Sequence, residues 1–415
     1  MSREMKHSGI EWIGEIPKEW TLKRFQSQVI EIKEKNSPIR TNFILSLTIN
    51  DGVIPYEDKG NVGNISKDNH EEYKLAYPDT IVLNSMNILI GAVGICKYYG
   101  CVSPVYYVFK NIESSDLRFL NYILSSPPFQ KYLRKFANGI LEIRLRISSS
   151  DILKQSIPVP SLTEQQKIAD YLDKVCGEVD DMIALQEQMI EELKAYKQSV
   201  ITEAVTKGLN PNAPMKDSGV DWIGEIPEHW EVCKLKNKYT LLNGRAYSDS
   251  ELLSEGKYRI LRVGNLFSSD KWYYSDMELD DDKYCEAGDL LYGWSASIGP
   301  YLWEKERVIY HYHIWKVLFG RNNLHFSYYM LQALTFAKQK DMHGSAMQHL
   351  TKINMDNTKI VIPFLSEQQQ IASFLDTKCS EIDSLIALKQ QKIEELKEYK
   401  KSVIYEYVTG KKEIA

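Results

Sequence analysis

The sequence predicts an α+β protein: two α/β-mixed domains separated by two long antiparallel coiled-coil helices, the halves related by an internal pseudo-two-fold repeat. Three observations carry this. SGIEWIGEIPKEW (Ser8 to Trp20) returns as SGVDWIGEIPEHW (Ser218 to Trp230), nine of thirteen positions identical. A segment of 47 residues, Pro160 to Thr206, returns without a gap as Pro363 to Thr409, with 29 positions identical. Between the repeated segments lie two unlike blocks, Thr21 to Val159 and Glu231 to Ile362, at matching places in the order. A repeat of this kind decides the architecture before any local reading.

The domain limits follow from the repeat. Residues 1–20 are an N-terminal framework motif, 21–159 the first domain, and 160–208 the first long helix. Residues 209–230 are a linker with the repeated motif, 231–362 the second domain, and 363–411 the second long helix. A chain of 415 residues is too long for one ordinary core. With 43% hydrophobic and 26% charged residues it is expected to fold throughout. The longest apolar run, Ile88 to Cys96, is far short of a membrane span, and MSREMKHSGIEW has no apolar signal core. A cytoplasmic protein without membrane contact is expected. Its six cysteines form no C-x-x-C pair, so reduced structural thiols are expected.

Each long repeat reads as one helix. Thr163-Glu-Gln-Gln166 and Ser366-Glu-Gln-Gln369 match a capping box and predict the helix starts. Leu172, Val175, Val179, Met182, Met189, Leu193, Tyr196 and Val200 recur at three- and four-residue steps, widened by Ile183 and Ile190. The second copy keeps Leu375, Ile382, Leu385, Leu396, Tyr399 and Val403 but sets Lys378, Lys389 and Lys392 on the seam. Gly208 and Pro211 predict the first helix end. A rod of roughly 66 Å cannot bury its own stripe. Pairing the two rods antiparallel, with the domains at opposite ends, solves this, although periodicity alone also allows a local bundle.

The blocks alternate β-rich runs with Gly, Asn, Asp and Pro breaks: FILSLTINDGVIPY, TIVLNSM and VYYVFK in the first, YRILRVGNLF, DLLYGW and YHIWKVLF in the second. Each then has a helical stretch, Leu117 to Phe136 and Leu324 to Gln339, and a glycine-containing loop. Likeness between the blocks is confined to their final halves, where Asp79 matches Asp289, and Gly139 with Leu145 matches Gly344 with Leu350.

Catalytic signatures are weak. No G-x-x-x-x-G-K-[ST] loop is present, and Asn210-Pro211 lacks the proline-aromatic continuation of a base-flipping amino-methyltransferase. Glu72-Tyr-Lys74 and Asp281-Asp-Lys283 resemble nuclease triplets, but so charged a chain produces them freely. His311 and His313 could be paired ligands on one strand face; a packed aromatic strand is the simpler reading. No catalytic and no metal residues are assigned.

A net charge of −5 argues at first against nucleic acid. The acid is local: residues 161–206 carry ten acidic and four basic side chains. In the first block Lys131, Arg134, Lys135, Arg144 and Arg146 flank the loop at Gly139, with Glu142 as the nearby acid. This is a phosphate-binding composition. The matching stretch of the second block has Lys338, Lys340, His343, His349 and Lys352, with Ser345 and Gln348 able to read base edges. A solvated polar loop is the plain alternative.

The alternation of W-I-G-E-I-P-x-x-W, a variable block, a G-x-x-x-x-x-L loop, P-x-L-[ST]-E-Q-Q-x-I-A and a long helix, twice over, resembles the specificity (S) subunit of Type I restriction-modification systems. The resemblance covers essentially the whole chain. It implies that each block is a target-recognition domain reading one half of a split, asymmetric sequence in double-stranded DNA, and that the helices form a coiled-coil ruler. It also implies methyltransferase (M) subunits that modify adenine with S-adenosylmethionine, and restriction/translocase (R) subunits that use ATP and Mg2+, this chain binding no cofactor itself. A fused nuclease-methyltransferase partner, or a scaffold without DNA function, are the alternatives.

Overall fold

The computed structural model describes residues 3–49, 51–60, 69–138, 145–341 and 350–414, with the backbone alone at 340 and 341. The chain divides into two compact units, residues 1–186 with 391–415, and residues 187–390.

In the first unit the framework motif folds as a small hairpin, Met5–His7 antiparallel to Glu15–Pro17. Its apolar residues turn inward: Trp12, Ile13, Ile16 and Trp20 are all buried. Strand Thr21–Arg24 then pairs antiparallel with Ser156–Val159, so the block's two ends meet beside the start of the long helix. Between them is a four-stranded antiparallel sheet in the order Val29–Ile32, Tyr106–Asn111, Thr80–Asn84, Val93–Cys96. Smaller pairs, Leu45–Leu47 with Val53–Pro55 and Lys74–Ala76 with Gly100–Val102, lie in the same block.

The second unit repeats this plan. Its hairpin is Met215–Asp217 with Glu225–Pro227, and Glu231–Lys234 pairs with Lys359–Ile362. The four-stranded antiparallel sheet runs Thr240–Asn243, Ile314–Leu318, Asp289–Ser295, Ser297–Trp303, the same order as before. A second sheet orders Tyr273–Ser275, Tyr258–Leu261, Val308–Tyr310 and Tyr284–Cys285, its middle pair parallel. The first unit keeps that parallel contact as a single bridge, Ile44 with Cys101.

Several sequence expectations need correction. The helical stretch from Leu117 breaks into Leu117–Ser125, Pro127–Leu133 and a 3-10 turn at Arg134–Phe136. Ser126 precedes proline and takes an extended conformation (φ −68°, ψ 122°), which ends the first helix. YRILRVGNLF is half strand, since Val263–Phe267 is a short helix. His311 and His313 lie in the turn between Val308–Tyr310 and Ile314–Leu318, outside both strands.

Equivalences inside the blocks also shift. Asp79, with φ 57°, donates its N–H to the Cys96 carbonyl (3.0 Å); Gly288, with φ 97°, donates to Trp303 (2.8 Å). Asp79 therefore stands where Gly288 stands, one residue before the Asp289 that sequence likeness offered. Likewise the Ile147 N–H donates to Ser85 and that of Leu350 to Trp294, both at 3.1 Å. Leu350 answers to Ile147, not Leu145, and each is followed by a hydroxyl N-cap, Ser148 or Thr351. The predicted partners Gly139 and Gly344 lie outside the described residues.

The long helices run Leu162–Lys207 and Leu365–Val408. The first begins ahead of the expected capping box: Ser161, not Thr163, caps it, its Oγ accepting from the Glu164 N–H at 3.3 Å. The Glu and first Gln of the motif are engaged elsewhere. Glu164 accepts from the Trp20 indole N–H (3.0 Å), and Gln165, fully buried, accepts from the Asp116 N–H (2.9 Å) while donating to the Pro160 carbonyl (3.0 Å). In the second unit Glu367 meets Trp230 (3.4 Å), and Gln368 accepts from Asn323 (2.8 Å) and donates to Pro363 (3.0 Å). Each motif tryptophan also packs on a helix-ending glycine, Trp20 on Gly410 and Trp230 on Gly208, both at φ above 70°. One indole thus ties the start of one long helix to the end of the other.

That tie makes the helices antiparallel within each unit. In the first, Tyr171 meets Tyr407 (ring centroids 4.5 Å) and Asp180 pairs with Lys400 (2.7 Å). In the second, Lys197 pairs with Asp383 (2.7 Å), the same two repeat positions exchanged. Of the predicted stripe, Leu172, Val179, Leu375, Ile382, Leu396 and Val403 are buried. Met182, Tyr196, Leu385 and Tyr399 are about half exposed instead. A pair of helices covers only a narrow seam, and these four fall beside it. Lys389 reaches across that seam to the Met189 sulfur at 3.3 Å.

Candidate nucleic-acid interface

In the first unit the short helix Pro127–Leu133 and the turn after it present Lys131, Arg134 and Lys135 to solvent. The same segment anchors itself inward through Phe129 and Leu133, both fully buried. Lys135 ion-pairs with Glu11 of the framework hairpin, and its Nζ lies 5.6 Å from the Tyr132 ring. The hydrogen bond from Lys135, with the charge of Lys131, holds the Glu11 carboxyl below its usual range. The acid beside the cluster is therefore Glu11, which sequence proximity did not offer; Glu142 lies outside the described residues.

Arg146 is exposed, between half-buried Leu145 and buried Ile147. Its backbone N–H and carbonyl exchange hydrogen bonds with Asn138 (2.9 and 2.8 Å), closing the neck of the loop three residues beyond Lys135. Lys131, Arg134, Lys135 and Arg146 are thus gathered at one loop base, while Arg144 lies outside the described residues.

The second unit brings its expected residues together less completely. Lys338 is half-buried near the end of helix Leu324–Asp341. Lys352 is exposed as the first residue of helix Lys352–Asn357, whose N-cap is Thr351. His343, Ser345, Gln348 and His349, and the side chain of Lys340, lie outside the described residues.

A second cationic surface was missed in the sequence. Arg262, Lys271, His311 and His313 line a pocket of about 260 Å³ with Tyr273, Asn265, Ser269 and Ser295. Of these, the sequence singles out only the two histidines, and as strand residues. The signal that could have found the pocket is the spacing of Arg262, Lys271 and Tyr273 about a short helix, too loose to read without the fold.

The nuclease-like triplets are occupied by ordinary contacts. The Lys74 amine donates to the Tyr106 carbonyl (2.6 Å), and Asp281 pairs with Arg307 (3.0 Å). All six cysteines are buried and free.

The model of the Type I restriction modification DNA specificity domain matches residues 17–195 and again 227–398, most of the chain. The chain belongs to this family. It is a DNA-sequence-recognition subunit with two specificity domains, each comprising a variable block and the adjoining helix. Its whole length is similar to the Type I restriction enzyme MjaVIII specificity subunit of Methanocaldococcus jannaschii, 26% identical over 95% of this chain and 93% of that one. Among solved structures, a chain from work on complex assembly and conformational transition of the type I R-M system matches with a TM-score of 0.73 at 13% identity, covering 95% of this chain and 98% of that one. The HsdS subunit of Thermoanaerobacter tengcongensis matches with a TM-score of 0.52 at 14% identity, covering 97% and 99%. At such identities these structures speak for the fold alone. Among the described residues of this specificity subunit, no helix is long and apolar enough to cross a membrane.

Proposed function

We propose that the chain reads a bipartite, asymmetric DNA target, one half with each domain, and performs no catalysis itself. Adenine methylation belongs to M subunits holding S-adenosylmethionine, and ATP- and Mg2+-dependent cleavage to R subunits, all in the cytoplasm. The observation that carries this reading is one sheet order and one set of framework hydrogen bonds repeated under two blocks of unlike sequence. A duplicated mount with divergent surfaces is what two independent readers require. Lys131, Arg134, Lys135, Arg144 and Arg146 in the first domain contact DNA. In the second, Lys338, Lys340, His343, Ser345, Gln348, His349 and Lys352 do so.

The test is to replace residues 21–159 with the corresponding block of a relative and to sequence the methylated sites in a host supplying the M subunit. One half-target changes and the other stays. Simultaneous change of both halves contradicts independent reading, and methyl transfer by the purified chain alone contradicts the division of labour.

A further inference from the structure

The pocket of the second unit is cationic in a chain whose net charge is −5. Arg262 and Lys271 approach the same Tyr273 ring, at 5.3 and 5.1 Å, so both charges are gathered at one rim. His311 and His313 line the same pocket from one turn, ring centroids 4.8 Å apart. The buried Ser295 borders the same space.

Three other arginines of this unit are neutralised, Arg245 by Glu251, Arg259 by Glu306 and Arg307 by Asp281. Among the described residues no carboxylate is in ion-pair range of Arg262, Lys271 or His311. The field is felt inside: burial, then the charges of His313 and Arg262, push the His311 ring down to about 4. Arg262 and Lys271, converging with no acidic counterpart among the described residues, favour an anion.

The first unit makes the same turn without the histidines. Its turn Ser103-Pro104-Val105 occupies the place of His311-Tyr312-His313. The Tyr106 N–H donates to Ser103 as that of Ile314 does to His311, both at 2.9 Å, and Ser85 donates to Val105 as Trp294 does to His313. Counted from the parallel contact, Ser46 stands two residues past Ile44 where Arg262 stands two past Ile260.

We propose that this cationic pocket binds a phosphate of the DNA backbone and clamps the second domain to its half-site, a contact the first domain lacks. The proposal rests on the DNA-recognition reading above. A phosphate suits the site better than a base, because two cations at one rim with neutral polar groups around them match a charged ion with exposed oxygens, whereas a stacked base offers only its edge.

The experiment uses the chain assembled with its M subunit on duplexes containing the mapped target. R262Q/K271Q removes the hold on one phosphate and is expected to reduce the slope of log affinity against log salt by about one. It should weaken binding equally whether the second half-site is intact or scrambled, and leave the methylated sequence unchanged. R262K keeps the slope. Replacing backbone phosphates one at a time by neutral methylphosphonate should find one position beside the second half-site that weakens the wild type and not the double variant. Unchanged affinity and slope overturn the clamp, as does relaxation at a single base pair, which marks a base reader. A shift of the His311 titration by inorganic phosphate without any sensitive backbone position assigns the pocket to a free anion and also overturns it. Should the double variant unfold, the scan on the wild type decides alone. A wild-type assembly that binds no DNA sinks the function proposed above, whereas a binding assembly with indifferent variants sinks only the clamp.

Discussion

Ser103-Pro104-Val105 and His311-Tyr312-His313 make the same turn with the same backbone hydrogen bonds, yet one is small and neutral and the other aromatic and basic. The turn leads into the central antiparallel pair of each four-stranded sheet, so its backbone is fixed by the ladder and its side chains are left at the rim. Fold and recognition chemistry are therefore carried by different atoms of the same segment. The buried framework should respond alike in the two units wherever its neighbours are the same, and the rims should not.

The framework tryptophans offer the largest effect. Trp20 and Trp230 are each 1% exposed, and each binds the glutamate that opens a long helix. Truncation to alanine empties a large buried volume and is expected to cost about 3–5 kcal/mol in either unit. Denaturant unfolding of the two variants should show nearly equal losses. A loss in one unit only would break the equivalence of the frameworks.

A smaller and deliberately unequal effect is expected at the helix-ending glycines. Gly208 and Gly410 both have left-handed backbones, which alone costs an alanine about 1–2 kcal/mol. A Cβ at Gly208 would sit 3.2 Å from Trp230, where slight adjustment suffices. One at Gly410 would sit 2.5 Å from the Pro17 ring, which must shift. Gly410→Ala should therefore lower the melting temperature more than Gly208→Ala; equal effects would mean that Pro17 yields freely.

The rims should differ in their pH response. The folded His311 ring titrates near 4 and the unfolded ring near 6.5. Below 6.5 the unfolded chain takes up a proton that the folded chain refuses, so the folded state loses stability as pH falls from 6.5 to 4. Above 6.5 the effect is absent. His311→Ala removes it, while Ser103→Ala in the first unit changes nothing in that window. Melts across this range, with the ring resonance followed by NMR, check the sign.

The framework was legible because identity at a fixed offset needs no physics to see, and it placed both long helices and both framework motifs, although not the hairpins those motifs form. The capping box was misplaced because Ser161 caps the helix ahead of it, and the motif residues Glu164 and Gln165 serve Trp20 and Asp116, partners 144 and 49 residues away. No local pattern announces such partners. Asp79 shares its residue type with Asp289 but its backbone role with Gly288, because a positive φ decides that position and not the side chain. Glu11 beside Lys135 and Arg262 beside Tyr273 became neighbours only through tertiary folding. The cationic rim of the second unit was for the same reason invisible.

The smallest expected difference tests the repeat most finely. Asp180 pairs with Lys400 and Lys197 with Asp383, each at 2.7 Å and each with a largely exposed carboxylate. Both are surface pairs bridging the two helices, so each is worth only about 0.2–1 kcal/mol and is screened by salt. Asp180→Asn and Asp383→Asn remove the same repeat position, and neither neighbours a variable block in sequence. Their losses should agree within a few tenths of a kcal/mol and vanish together at high salt. A clear inequality surviving in 1 M salt would mean that packing around the two lysines, not the ion pairs, differs between the units, and that the divergence of the blocks has reached into the framework.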